Sequence, residues 1–258
     1  MHSAIIAGTG IYDIPGMTFQ ERIIDTPYGQ AKVNIGTVDE FELVFLARHG
    51  LDHSTPPHNI NYRANIKALQ MLGVKRVAAT YAVGSANRRV RPTEMALVTD
   101  FMNFTSGRPL TFFEGGDSGL AHTAMDAPYC PAMGHKILQM AQARGLTIKP
   151  DAVYVATNGP RFETPAEIRM YDRLGGDVVG MTGVPEIVLA RELGMHFAAV
   201  AYSVNWCSGI MDVLELHEED MVETRQNLAR LLVDALRELA EPDCRCADAV
   251  MVMHPAKD

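Results

Sequence analysis

The sequence predicts an α/β fold, read as one domain over residues 1–258 and built on a buried, mixed β-sheet flanked by helices. Three observations carry that expectation. Apolar runs of strand length alternate along the chain with helix-length segments of 3.6-residue periodicity. Several of the runs are apolar at nearly every position, as strands covered on both faces are. No internal repeat, low-complexity run or linker divides the 258 residues, and that length buries a substantial core.

The elements follow in order. Residues 4–7 form a short strand ending in Gly8-Thr9-Gly10, and residues 41–47 (FELVFLA) another, ending at Arg48-His49-Gly50. Residues 61–72 read as a helix with Ile66, Leu69 and Leu72 on one side and Gly73 as its stop. Strands follow at 77–82, closed by Val83-Gly84-Ser85, and at 95–101. Residues 107–131 are a long Gly- and Pro-rich irregular stretch, a length more often functional than idle. A helix at 133–144 stops at Gly145, and a strand occupies 152–156. The next helix starts at Thr164-Pro165, with proline in its first turn and Glu167 near its positive end. Pro185 opens a helix to Leu193, residues 197–204 are a nearly all-apolar strand, and residues 219–239 form an amphipathic helix.

Composition bounds the function. Charged residues make up 21% and apolar residues 47%, which excludes a disordered chain. The formal net charge of −8 excludes nucleic acid as the default partner, because a phosphate polymer needs a basic face. No stretch reaches the roughly 18–20 apolar residues of a membrane span. Met1-His2-Ser3 has no basic leader character, so the expected compartment is the cytoplasm. Cys244-Arg245-Cys246 reads as two reduced surface thiols or a strained local disulfide, beside Cys130 and Cys207. No second Cys or His pair stands at zinc-ligand spacing, so no metal is expected.

The chemistry sits at strand ends. Gly8-Thr9-Gly10 lacks the third glycine of a dinucleotide fingerprint, since position 13 is Asp13 and Pro15-Gly16 breaks any immediate helix. It remains either an ordinary turn or one whose N–H groups and Thr9 hydroxyl hold an anion. Arg48-His49 is either solvated surface or, through the Arg48 fork, an anion site. Strand ends of an α/β sheet converge on a ligand crevice, which favours the two together. In Asn158-Gly159-Pro160-Arg161-Phe162-Glu163-Thr164, Phe162 is either core or a stacking platform for a flat heterocycle. Glu163 is either a helix-end charge or an acceptor for ring N–H groups. Asn205 is a turn residue or an amide that both donates and accepts.

Together these segments resemble the trimeric family of purine nucleoside phosphorylases and methylthioadenosine phosphorylases. The resemblance runs in order over almost the whole chain. It begins with Gly8-Thr9-Gly10, Arg48-His49-Gly50, Asn61-Tyr62-Arg63-Ala64-Asn65 and Ala82-Val83-Gly84-Ser85. It continues with Gly107-Arg108-Pro109, His122 through Pro128-Tyr129-Cys130-Pro131, Gly159 through Thr164, and Met181-Thr182-Gly183-Val184-Pro185-Glu186. It implies a nucleoside phosphorylase fold, with a mixed and partly barrel-like sheet, assembled as a homotrimer or hexamer with sites at subunit interfaces. The implied reaction is phosphorolysis of a purine nucleoside to free purine and a ribose 1-phosphate, with phosphate as co-substrate and no metal or organic cofactor.

By the same resemblance, Thr9, Arg48, His49, the Ala82 backbone and Thr182 form the phosphate site, Met181 lies against the ribose and Phe162 against the base. Asn205, Glu163 and His49 are the implied catalytic set. Methylthioadenosine phosphorylases carry aspartates where this chain has Asn205 and Cys207. An asparagine can donate to a 6-oxo group that an aspartate would repel. Glu163 matches the acceptor that 6-oxopurine enzymes place on N1–H. Inosine, guanosine or S-methyl-5′-thioinosine is therefore the expected substrate. At the sugar 5′ position, residues 107–113 with His122 resemble the methylthio branch, in which a neighbouring subunit lines the pocket. His217 resembles the histidine that ordinary nucleoside phosphorylases place on a 5′ hydroxyl, with Leu216 in its place if the alignment slips by one. Tyr81 departs from the pattern, standing where many relatives have a threonine, and Gly183 replaces a small polar residue.

Overall fold

A computed structural model describes residues 3–211 and 221–253. His217 and Leu216 lie outside the described residues. The chain runs β1 (Ser3–Ala7), β2 (Thr18–Thr26), β3 (Gly29–Val38), β4 (Phe41–Ala47), α1 (Tyr62–Met71), β5 (Arg76–Ser85), β6 (Met95–Val98) and β7 (Asp100–Asn103). It continues with β8 (Leu120–Thr123), α2 (Pro131–Ala143), β9 (Ile148–Lys149), β10 (Val153–Ala156), α3 (Pro165–Arg173) and β11 (Val178–Gly180). The last elements are α4 (Gly183–Glu192), β12 (His196–Trp206), α5 (Val222–Glu238) and β13 (Val250–Met253).

One mixed sheet of eleven strands takes in elements from both halves of the chain. Its spine is the parallel pair β5 and β12. On the other edge of β5 the sheet forks. β1 pairs with the first half of that edge, as far as Ile6 opposite Ala79. β11 pairs antiparallel with the far end, Val179 opposite Gly84. Among the described residues, positions 80–83 of β5 therefore meet no strand on that edge. One branch continues β1–β4–β3–β2 and the other β11–β10–β7. The fork positions the site.

Every residue of β12 except Trp206 is buried, because helices cover both faces of the spine. Val77, Ala79 and Tyr81 of β5 pack into a core that also holds Ile66 of α1 and Ile187 of α4. Ala78, with Val200 and Tyr202 of β12, packs into a second core with Met133 of α2 and Leu232 of α5. Each fully buried Leu, Ile or Val contributes about 1.5–3 kcal/mol relative to exposure. The helix ends are chemically marked as the sequence suggests. Asn61 accepts the Ala64 amide at the start of α1, and Gly73 follows its end at φ +74°. Thr164 and Glu167 form a reciprocal capping box on α3. Thr164→Ala should cost about 1 kcal/mol of stability, read as a lower urea midpoint with an unchanged slope.

Two expectations change, and one pair of strands is not anticipated. Residues 95–101 are two strands, since β6 pairs with β12 and β9, whereas β7 pairs with β10 in the other branch. The Thr99 amide bonds the Ala152 carbonyl at the crossing, and an apolar run alone does not reveal that switch. The β2–β3 hairpin escapes pattern reading because β2 is largely exposed and carries no apolar run. The irregular stretch 107–131 contains β8, which forms a two-stranded ribbon with β13.

Candidate active site

A cleft of about 220 Å³ opens at the fork of the sheet. It brings together nine of the residues singled out from sequence: Thr9, Arg48, His49, Ala82, Phe162, Glu163, Met181, Thr182 and Asn205. His122 is not among its lining residues. It sits exposed on β8, opposite Met251 of β13.

One end of the cleft is built around an ion pair. Arg48 is buried, and its fork faces Glu186 of α4: Nε donates to Oε2 at 2.9 Å and Nη2 to Oε1 at 2.8 Å. Nη1 donates to the Thr80 carbonyl at 2.8 Å, on the strand-free edge of β5, and Nη2 also reaches the Ile6 carbonyl at 3.4 Å. Of the five guanidinium donors, one on Nη1 is left for a ligand. The fork expected to grip an anion is thus spent on a carboxylate. Burial works against the Arg48 charge, but Glu186 outweighs it and holds the pKa above its ordinary value. Tyr81 is buried against the same pair, its hydroxyl 3.4 Å from Glu186 Oε1 and its ring 5.2 Å from the guanidinium carbon. The unusual residue at position 81 therefore supports the pair and does not line the cleft.

Because Arg48 and Glu186 neutralise each other, anion affinity here depends on neutral donors as well. The Tyr202 hydroxyl donates to the Thr9 carbonyl and fixes the Gly8-Thr9-Gly10 turn. A Cβ on Gly8 would lie 2.7 Å from Arg48 Nη1, so only glycine lets the turn pass the guanidinium. The Thr182 and Gly183 amides both donate to the Tyr154 hydroxyl at 3.1 Å, which holds Thr182 in place on the cleft wall.

His49 is also buried. Its Nδ1 lies 2.8 Å from the Thr55 carbonyl. A carbonyl only accepts, so Nδ1 carries the proton and Nε2 keeps a lone pair. Burial, with Arg48 and the stacked His53 ring, lowers the His49 pKa to about 4 against the opposing pull of the Thr55 carbonyl. The ring is neutral at physiological pH. The folded state resists protonation more than the unfolded chain does. Its advantage is complete above the ordinary pKa of 6.5 and is lost as pH falls towards 4. The urea midpoint should accordingly drop over that interval, and His49→Gln should flatten the drop.

The other end is less charged. Phe162 is 52% exposed on the rim, so it is not a core residue. Glu163 is buried and accepts the Thr157 hydroxyl at 2.7 Å through Oε1. It is not the helix cap, a role that Glu167 fills. Asn205 follows a register shift in β12 after Ser203, and such an irregularity re-aims a side chain. Its Nδ2 donates to the Trp206 carbonyl at 2.7 Å, leaving the second amide proton and Oδ1. Gly84 makes room for this corner, since a Cβ there would lie 2.6 Å from Cys207 Sγ. Burial, and secondarily Glu163, pushes the Cys207 thiol up, so it stays protonated.

Met181 also lines the cleft. A Cβ on Gly159 would come within 2.3 Å of its sulfur, and Gly159 adopts φ +60°. Arg108 ties the surrounding loops by donating to the carbonyls of Asn158, Met181 and Val184 at 2.7–2.9 Å. Sequence reasoning missed two contributors. Glu186 was quoted within a motif, but nothing in its spacing paired it with a residue 138 positions away. His53 lines the cleft and bonds the Tyr12 hydroxyl at 2.6 Å, with no pattern to mark it.

Comparison with known proteins places the chain in context. The family described as the Phosphorylase superfamily matches residues 3–237. A probable 6-oxopurine nucleoside phosphorylase of Moorella thermoacetica is 46% identical over 253 residues, 96% of this chain and 97% of that protein. A probable S-methyl-5′-thioinosine phosphorylase of Methanopyrus kandleri is 43% identical over 251 residues, covering 95% of this chain and 96% of the relative. Among solved structures, methylthioadenosine phosphorylase of Schistosoma mansoni in complex with tubercidin superposes with a TM-score of 0.85. It is 29% identical, and the match covers 93% of each chain.

Proposed function

This chain belongs to the Phosphorylase superfamily, and on that premise we propose that it cleaves 6-oxopurine nucleosides with phosphate, releasing the free purine and a ribose 1-phosphate or its 5-methylthio analogue. The observation that carries the proposal is that the Asn205 amide and the Glu163 carboxylate line the same cleft as Arg48. A 6-oxopurine presents O6 as acceptor and N1–H as donor. The free Asn205 amide proton and the free Glu163 oxygen complement those two groups. The names of the Moorella and Methanopyrus relatives support the same base class.

The residues divide the reaction between the two ends. Thr9, Arg48, His49, Ala82 and Thr182 seat the phosphate, His49 accepting a phosphate or sugar O–H at Nε2. A phosphate oxygen bonds to C1′ as the bond from C1′ to the purine nitrogen breaks, and the electron pair leaves with the purine. N7 of the departing purine takes a proton from solvent, and Asn205 meets the developing charge by donating to O6 and accepting from the N7–H so formed. Such contacts accelerate the step because they strengthen as the base departs. Phe162 stacks on the base and Met181 packs against the ribose. The chemistry needs no further cofactor in this scheme.

His122 serves the 5′ end of the sugar in a neighbouring subunit's cleft. Its strand leaves Leu120 exposed directly opposite Met253, which is also exposed, an apolar surface suited to burial in a homotrimer. Sedimentation should give a trimer or a hexamer, and a monomer under assay conditions would remove this role for His122.

Phosphorus-31 NMR tests the reaction type. Inosine with enzyme and phosphate should yield a sugar 1-phosphate resonance in step with hypoxanthine, with no turnover when phosphate is omitted. Release of hypoxanthine at an equal rate without phosphate would identify a hydrolase instead.

A further inference from the structure

Cys130, His196, Cys244 and Cys246 converge in the fold although no local spacing connects them. Their ligand atoms all lie within 4.8 Å of one another. Cys130 Sγ is 3.8 Å from His196 Nδ1 and 3.5 Å from Cys244 Sγ. Cys244 Sγ is 3.1 Å from His196 Nδ1 and 3.3 Å from Cys246 Sγ. Zinc bonds of about 2.0–2.3 Å in a tetrahedron set ligand atoms roughly 3.5–3.8 Å apart. Cys130, His196 and Cys246 are buried and Cys244 is partly so. This replaces the sequence reading of Cys244 and Cys246 as surface thiols, and it supplies the second pair that spacing did not reveal.

We propose that these four side chains form a structural zinc site. Three sulfurs and one imidazole are a soft set that selects zinc over magnesium or calcium. Four protein ligands close the coordination sphere, as a structural site does and an open catalytic one does not. Binding sends the proton of each cysteine still protonated to solvent, so the ion sits among three thiolates with a net charge of −1. The buried side chain of Arg191, five residues before His196, supplies positive charge to this part of the fold. Arg191 Nε has no hydrogen-bond partner among the described residues.

The placement gives the ion a job. Cys130 immediately precedes α2, His196 opens β12, and Cys244 and Cys246 lie between α5 and β13. One ion would pin the C-terminal segment to the sheet and so anchor the β8–β13 ribbon that carries His122. The site lies outside the cleft residues and does not depend on the substrate assigned to them.

The full chain, purified under reducing conditions and supplied with zinc, should retain about one zinc per chain after gel filtration, measured by mass spectrometry of the metal. Cobalt exchanged into the site should show the intense visible bands of tetrahedral Co²⁺ and a thiolate charge-transfer band. The double variant Cys244→Ser/Cys246→Ser should retain less than about a tenth of the metal, while inosine phosphorolysis at 25 °C persists as a check on folding. Wild-type protein that takes up neither metal, with a Cys244–Cys246 disulfide or with four free thiols, overturns the proposal. So does metal retained undiminished by the double variant.

Discussion

Asn205→Asp should lower kcat/KM for inosine by about 10²–10³-fold and raise the rate with adenosine relative to it, reversing the base preference. The substitution replaces a donor to O6 with a second acceptor, so the 6-oxopurine loses a hydrogen bond and gains a repulsion. A 6-amino group offers N–H donors at that position, and a carboxylate receives them. The local geometry adds a cost, because Nδ2 of Asn205 lies 2.7 Å from the Trp206 carbonyl. A carboxylate oxygen cannot stay there unprotonated, so it must rotate away. Inosine and adenosine kinetics are to be read beside the melting temperature, since a loss shared equally by both substrates would mean only a damaged corner. An unchanged preference for inosine would remove Asn205 from base recognition.

Glu186→Ala should destabilise the protein by about 3–5 kcal/mol, because it leaves the Arg48 charge buried without a counter-charge. For a chain of this size that is a fall of roughly 10 °C in melting temperature. Glu186→Gln keeps one acceptor oxygen and should fall between the two. A paired replacement, Arg48→Met with Glu186→Leu, separates structure from function. Apolar groups of similar size often restore the stability of a buried ion pair, so the double variant should regain most of the lost melting temperature while phosphorolysis stays absent. Recovery of activity along with stability would show that Arg48 serves the fold alone.

Much of the architecture was legible because it rests on burial. β4 and β12 read as strands because their residues are nearly all apolar, and α1 and α3 because capping residues and glycines mark their ends. What escaped was set by pairing between distant segments. The forked edge of β5, the split of residues 95–101 and the exposed β2–β3 hairpin each depend on partners that periodicity does not encode. The site divides in the same way. Strand-end motifs identified Thr9, Arg48, His49, Glu163 and Asn205, all of which the fold gathers in one cleft. The counter-charge at Glu186, the stacked His53 and the cluster of Cys130, His196, Cys244 and Cys246 arise only when distant segments meet. A net charge of −8 gave no hint that an anion could be seated. Local donors at a strand fork explain how one can.

The most direct test compares initial rates of inosine, guanosine, adenosine, S-methyl-5′-thioinosine and S-methyl-5′-thioadenosine with and without phosphate. The 6-oxopurine nucleosides should be cleaved only in the presence of phosphate, with the 6-aminopurines slower by at least about 10²-fold in kcat/KM. Cleavage confined to adenosine and S-methyl-5′-thioadenosine would contradict the account of Asn205 and Glu163 on which the function rests.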